Sequence, residues 1–443
     1  MNRSKQHKKV TAEELIYNIH GELHARTSIS IEAPAQIRHT AYNFSAEDKK
    51  AKNKIIETFN SLLVQLNIKK TDIRHEERSC FAEKSFAEKG RLLLMWEMHT
   101  EFYSYTTIFI PKDKASFYSK PYSLPEFYTA GKKILDLSVL IVSGLKLTNK
   151  IQSFLHEGTL YGGYVLNGEA SVYTTFQINE LGQERYVILS GKLSSGRLGR
   201  LVRRIIEIEN YSHLILLPLT EYKTHITRLR NKEKRIAEYS EQIAVDLAQE
   251  NIDAQKEQLW IVKLTRSLAE LIRLTENMRY RFSAASSYYR IFIERLKWLR
   301  EKTGEGYQSI DEFLTARVSP AVRNYENFID RSEALASQLT ALGNMIRTRI
   351  NQIMERQNLK TLEAMNKRVK LQIMLQETVE GLSIIVLSYY MTSLSSYIFQ
   401  AIDKLASLPG DYKLWTAFSV PVWLITAFFI TKRAKKLIAK KAE

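Results

Sequence analysis

Three sets of residues in this chain have the types and spacing to do chemistry. Ser388, Thr392, Ser396 and Gln400 recur every four residues in an uncharged stretch, so on a helix their hydroxyls and amide share one slowly drifting face. Glu377 and Glu380 lie just ahead of them, where a symmetric oligomer would set them as rings that concentrate cations at a pore mouth. Small hydroxylated residues also pack transmembrane helices together, and glutamates at an interface are ordinarily solvated. Packing is therefore the first reading of this row and permeation the second.

A second set is His24, His99 and Glu101, with His20, Glu22 and His39 as further donors. Imidazoles with carboxylates offer nitrogen and oxygen to zinc or another divalent ion. Three separated segments would have to converge, and no pair has the spacing of a helical metal motif, so ordinary structural histidines are the plainer reading. The third set is Arg197, Arg200, Arg203 and Arg204, which follow Gly191-Lys192-Leu193-Ser194-Ser195-Gly196. That glycine spacing superficially resembles a phosphate loop but lacks its terminal Lys-Ser/Thr pair, so it reads as a strand-to-helix turn. The arginines can bind an anion at the helix N-terminus, or solvate that face while pairing with Glu207.

Other chemistries find no residues. Gly158, Gly162, Gly163 and Gly168 precede strands rather than a helix, so no dinucleotide fingerprint follows. There is no Gly-x-Ser-x-Gly elbow, and Cys80, the one cysteine, has no evident base. No enzymatic activity and no cofactor are expected. A single cysteine also excludes an intramolecular disulfide, which fits a reducing cytosol.

The elements that must position these residues begin at the C-terminal end. Leu382 to Ile402 and Leu414 to Thr431 are each uncharged and long enough, as helices, to cross a hydrocarbon core of about 30 Å. The loop between them is too short for a domain, so the expectation is a hairpin in the lipid bilayer. Six Lys or Arg in the tail, with Lys367, Arg368 and Lys370 before the first span, place both termini in the cytoplasm. The net charge of +17 over 443 residues suits an anionic cytoplasmic leaflet better than nucleic acid. Met1 to Lys9 leads into Thr11-Ala12-Glu13-Glu14-Leu15 rather than an apolar run, so no cleavable signal is expected.

Ahead of the hairpin, Thr11 to His20 reads as a short helix, and Ile29 to Phe44 as two extended pieces broken by Pro34. Ile55, Ile56, Phe59, Leu62, Leu63 and Leu66 recur at helical spacing after a cap at Ser45. Strands are expected at Arg91 to Glu97, Phe102 to Ile110, Tyr164 to Phe176 and Arg185 to Leu189, then a basic amphipathic helix from Leu198 to Asn210. From Tyr222 to Arg300 the pattern is helical. Ser319-Pro320 starts a further helix with nothing obvious to stop it before Asp403. Leu335, Leu339, Leu342, Ile346, Ile350 and Ile353 form a coiled-coil-like seam that needs a partner, either the helix around Leu268 to Leu299 or another subunit. A homo-oligomer is expected.

Several blocks carry a resemblance. His20-Gly21-Glu22-Leu23-His24-Ala25-Arg26, Trp96-Glu97-Met98-His99-Thr100-Glu101-Phe102, Gly199-Arg200-Leu201-Val202-Arg203-Arg204 with Glu207-Ile208-Glu209, and Leu375-Gln376-Glu377-Thr378-Val379-Glu380-Gly381-Leu382-Ser383 with Ser388-Tyr389-Tyr390 resemble the signature blocks of a bacterial family of uncharacterised membrane-anchored proteins. The resemblance implies a cytosolic N-terminal portion and an inner-membrane anchor, and it implies no activity. Thr27 stands where the family block has proline. The order of parts is also similar to that of CorA-type magnesium and cobalt transporters, yet Tyr397 to Gly410 contains no Gly-Met-Asn, and likeness of order is analogy only.

The expected fold is thus an α+β cytosolic domain over residues 1–220, a long helical stalk over 221–377, a transmembrane hairpin over 378–431 with spans near 382–402 and 414–431, and a basic tail over 432–443. The expected role is a membrane-anchored structural or regulatory protein of the bacterial inner membrane whose cytosolic domain binds an unidentified partner. The alternative is a CorA-like oligomeric cation channel or transporter with a divergent filter.

Overall fold

The computed structural model describes residues 29–44, 49–76, 78–87, 89–113, 129–249, 254–303, 306–406 and 411–442. The helix expected at Thr11 to His20, the cap at Ser45 and the candidate ligands His20, Glu22 and His24 lie outside these residues. The chain divides into two compact units, one of residues 1–250 with 262–342 and the other of 251–261 with 343–443.

In the first unit the strands are β1 (Ala35–Asn43), β2 (Ile73–His75), β3 (Ser79–Phe86), β4 (Gly90–Met98), β5 (Phe102–Pro111), β6 (Lys132–Val142), β7 (Tyr161–Val165), β8 (Ala170–Ile178), β9 (Glu184–Leu189) and β10 (Lys302–Thr303). They join in one sheet of order β10-β7-β8-β9-β6-β1-β5-β4-β3-β2. Neighbours are antiparallel except β6 and β9, which run parallel. The single strand expected from Tyr164 to Phe176 is instead β7 and β8. Leu166 to Glu169 separate them, the first three at positive φ, a backbone that Asn-Gly adopts readily in tight turns. Strand β6 is not evident in the sequence. It is central and buried on both faces, at Leu135, Asp136, Leu137, Val139, Leu140 and Ile141, so it lacks the alternation of a half-exposed strand.

Helices cover both faces of the sheet. On one, α1 (Lys49–Gln65) packs Ile55, Phe59, Leu62 and Leu63 against Leu92, Leu94, Trp96 and Tyr105. The short α2 (Asn149–Gln152), capped by Thr148, sets Ile151 against Leu140, Val187 and Leu189. On the other face lies α3 (Ser195–Leu216), whose Leu198, Leu201, Val202, Ile205 and Ile208 meet Ile37, Leu137, Val139 and Ile188. The same core takes in Phe292 and Leu296 of α5 (Ala254–Leu299) and Leu314 and Val318 of α6 (Ile310–Ala406). Gly199 is needed where the N-terminal chain crosses α3, because a Cβ there would lie 1.7 Å from the Ile29 carbonyl oxygen.

Between α3 and α5 runs α4 (Leu219–Ala248). It is tied to α5 by Lys232–Glu270 at 2.9 Å and to α6 by Arg331–Glu233 at 2.5 Å. Phe282 stacks on Tyr325 at 4.6 Å between centroids. The helix expected to start at Ser319-Pro320 begins at Ile310 instead. Ser309 Oγ accepts from Glu312 N at 3.0 Å, and the Glu301 carboxylate accepts from Ile310 N and Asp311 N at 2.9 and 3.2 Å. These acceptors satisfy the first-turn donors, so the start is set upstream and Pro320 lies inside the helix.

In the second unit Ile346 is buried, Ile350 and Ile353 are half-buried, and α6 from Glu355 to Val379 is exposed throughout. The end of α6 and α7 (Tyr412–Ala442) are both long and apolar enough to cross a membrane. They pack as a hairpin through small and hydroxylated residues. Ser388 Oγ donates to Ile384 O at 2.7 Å and lies 3.4 Å from Trp423 O, and Trp423 Nε1 donates to Ser395 Oγ at 2.8 Å. Tyr389, Leu394, Tyr397, Phe418 and Phe429 face outward.

Candidate functional site

The most unusual chemistry of the first unit starts from one lateral row of the sheet. In register, Thr106 of β5 faces His39 of β1, His39 faces Leu137 of β6, and Leu137 faces Glu184 of β9. Residues paired this way project to the same side, so three polar side chains are presented to α3. From α3, Glu209 and Asn210 come down to meet them. Glu209 lies one turn after Ile205, on the helix face that is buried.

His39 is fully buried. Its Nε2 donates to Asn210 Oδ1 at 3.1 Å, which leaves Nδ1 to accept from the Thr106 hydroxyl at 2.8 Å. Burial pushes its pKa down to about 4, against the smaller opposing pull of the Asn210 bond. The ring is therefore neutral near pH 7.

Beside it two carboxyls meet. Glu184 is 5% exposed and Glu209 1%. The Tyr186 hydroxyl donates to Glu209 Oε1. Ser212 Oγ donates to Glu209 O at 2.9 Å, and His213 Nδ1 lies 2.9 Å from that carbonyl oxygen and 3.6 Å from Glu209 Oε2. One donor atom each from Glu184, Glu209 and His213 lie within 4.8 Å of one another. Glu184 Oε1 has no hydrogen-bond partner among the described residues. Burial, reinforced by the Glu209 charge, raises the Glu184 pKa well above the carboxylate range, and burial raises that of Glu209. Such a cluster can store a proton or ligate a cation.

The opposite face of the sheet holds a contrasting carboxylate. Asp136, 2% exposed, accepts from Arg38 Nε and Nη2 at 3.2 and 3.1 Å and from Lys133 Nζ at 2.9 Å. Burial alone would raise its pKa, but the bonds and charges of Arg38 and Lys133 outweigh that and lower it.

Of the residues singled out from sequence, His39 lies in this row, and the other described ones are elsewhere. Glu101 accepts from the Tyr288 hydroxyl at 2.9 Å, and His99 stacks on Phe102 at 4.1 Å between centroids. The four arginines diverge. Arg197 pairs with Glu169, Arg200 is exposed, Arg203 bridges Glu207 at 3.1 Å and Glu97 at 3.4 Å, and Arg204 lies over the Trp298 ring at 5.0 Å. Next to Arg203 a cleft lined by Arg74, Arg91, Glu76 and Glu83 alternates charge and so has no preference for an anion. In the hairpin Ser388 is buried, Thr392 donates to Ser388 O at 2.8 Å, Ser396 is half-buried and Gln400 is exposed. Glu377 is exposed and Glu380 half-buried.

Among known proteins, the family model described as "Protein of unknown function (DUF3422)" matches residues 13–438. The chain belongs to this family. The match takes in the whole sheet, the buried carboxyls on both of its faces and both apolar C-terminal segments. No curated protein and no solved structure matches.

Sequence reasoning missed Glu184, Tyr186 and His213, and met Glu209 only inside a family-like block. One signal is present in the sequence. Glu209 recurs with Val202 and Ile205 on the apolar stripe of an amphipathic helix, and a carboxylate there must be paired, neutral or ligating.

Proposed function

We propose that this DUF3422 member is a membrane-anchored structural or regulatory protein of the bacterial inner membrane, with both termini in the cytoplasm and a sheet domain that engages a cytosolic partner. The observation that carries this reading is the inside-out hairpin: Ser388, Ser395 and Ala427 are buried between its helices while Tyr389, Leu394, Phe418 and Phe429 are exposed. An aqueous surface does not favour so many large apolar side chains, whereas lipid solvates them and leaves small residues for the contact between helices. The Lys432-Arg433-Ala434-Lys435-Lys436 tail orients the pair. Exposed Met354, Leu359, Leu362, Met365 and Val369 on α6 fit a second copy of the chain alongside. The channel reading needs Ser388, Thr392 and Gln400 on one axis. Ser388 contacts Trp423 instead, and we rank that reading second.

The test is membrane fractionation with an alkaline wash, followed by thiol labelling of Lys404→Cys and of Lys436→Cys, each in a Cys80→Ser background. Retention through the wash, with labelling at position 404 from outside and at position 436 only after permeabilisation, is the expected result. Release of the chain by the wash would sink the anchor.

A further inference from the structure

We propose that Glu184, Glu209 and His213 form a binding site for one divalent transition-metal cation of the zinc or manganese kind. The site is distinct from the hairpin and stands whether or not the anchor reading does.

The first ground is charge. Two nearly fully buried carboxyls face each other, and among the described residues neither pairs with a lysine or arginine. Burying an ionised carboxylate is strongly unfavourable unless a positive charge or good hydrogen bonds compensate it. Across the same sheet, Asp136 receives such compensation from two cationic side chains. Among the described residues no cationic side chain does the same for the glutamates, which leaves a proton held between them or a bound cation to relieve their burial.

The second ground is the unpartnered acceptor. Glu184 Oε1 is buried with no donor, and an acceptor in that state is rare because its desolvation goes unrepaid. The carboxyl group that carries it contributes to the same group of donors as Glu209 and His213.

The third ground is geometry and donor type. Donors about 2.0 to 2.2 Å from a shared ion lie roughly 3 to 4.4 Å from one another, which the spread of at most 4.8 Å accommodates. Two carboxylates and one imidazole suit zinc, manganese or iron(II). Calcium prefers a larger shell made of oxygens alone. Ligation through His213 Nδ1 moves the ring proton to Nε2, giving up the 2.9 Å contact with Glu209 O. The His213 side chain is 38% exposed and provides the way in. Tyr186 supplies the outer hydrogen bond that holds the Glu209 carboxylate in orientation, the usual support for a ligating carboxylate.

The test uses the full untagged chain in detergent, stripped with a chelator, desalted and titrated with zinc or manganese chloride by calorimetry and metal analysis. One ion per chain is expected. Glu184→Gln and Glu209→Gln should each weaken binding about 100-fold or more, with circular dichroism confirming the fold. Pulsed electron paramagnetic resonance of the manganese-loaded wild type should show coupling to an imidazole nitrogen that His213→Gln removes. This readout keeps the proposal testable if the carboxylate variants fail to fold. Absence of saturable binding, wild-type affinity in Glu184→Gln and Glu209→Gln, or no nitrogen coupling would each overturn it. So would a Glu184→Gln variant that is merely more heat-stable while the wild type takes up no ion, which would mark a shared proton instead.

Discussion

The two faces of one sheet bury carboxyl groups in opposite ways. On the face that carries α1 and α2, Asp136 stays ionised because Arg38 and Lys133 reach it with three hydrogen bonds. Beneath α3, Glu184 and Glu209 sit together with hydroxyls, a carbonyl and one imidazole but no guanidinium or ammonium among the described residues. Adjacent positions of one strand look onto both arrangements, since Asp136 and Leu137 are neighbours in β6. The contrast separates two meanings of a buried charge. A pair completed by cationic side chains is architecture, whereas one left incomplete among the described residues asks for a proton or a cation.

The largest expected effect lies at His39, the neutral neighbour of the incomplete site. The unfolded ring binds a proton below about pH 6.5, and the folded ring only below about 4. Between those values the unfolded chain holds more protons, so His39 favours folding fully above about pH 6.5 and progressively less as pH falls. About 3 kcal/mol is at stake. Urea unfolding of wild type and His39→Gln across this range should show the wild type losing stability relative to the variant; parallel curves would mean that His39 is not held neutral. Next comes the completed pair. Arg38→Ala leaves Asp136 with Lys133 alone and should cost about 2 kcal/mol, most of it restored by adding Asp136→Asn, as thermal melts of the single and double variants can show. If Asp136→Asn restores nothing, the two faces do not differ as described.

Smaller effects sharpen the same contrast. Tyr186→Phe removes the donor to Glu209 Oε1 and should cost about 1.5 kcal/mol, measured by denaturant midpoint; no change would show that the hydroxyl is replaceable by water. Thr106→Val keeps the shape but removes the donor to His39 Nδ1, at about 1 kcal/mol. Nitrogen chemical shifts of the His39 ring should report the altered hydrogen bond, and identical shifts would refute the assigned bond.

The parts legible in sequence are those written in local pattern. The two apolar runs, the amphipathic α3 and the helical character of α6 follow from spacing along a few turns. Strand β6 is not legible because burial on both faces erases its alternation. The start of α6 is hidden because Glu301, outside the helix, caps Ile310 and Asp311 across a turn. The candidate site is the least legible. Glu184 becomes a neighbour of Glu209 only when β9 takes its place beside β6 and α3 folds over both. The arginines from Arg197 to Arg204 read as one basic face with Glu207 as a local partner, yet tertiary contacts draw Arg197 to Glu169, Arg203 to Glu97 and Arg204 to Trp298.

The lateral row from Thr106 through His39 and Leu137 to Glu184 also bears on the order of folding. Its members come from four strands distant in the chain, and β6 meets β9 only after the β7–β8 hairpin has been looped out between them. Contacts of such long sequence separation form late, because loop closure must precede them. Substitutions at His39 or Glu209 should therefore speed unfolding and leave the folding rate nearly unchanged, so that the buried polar row acts as the final latch of the sheet rather than its nucleus.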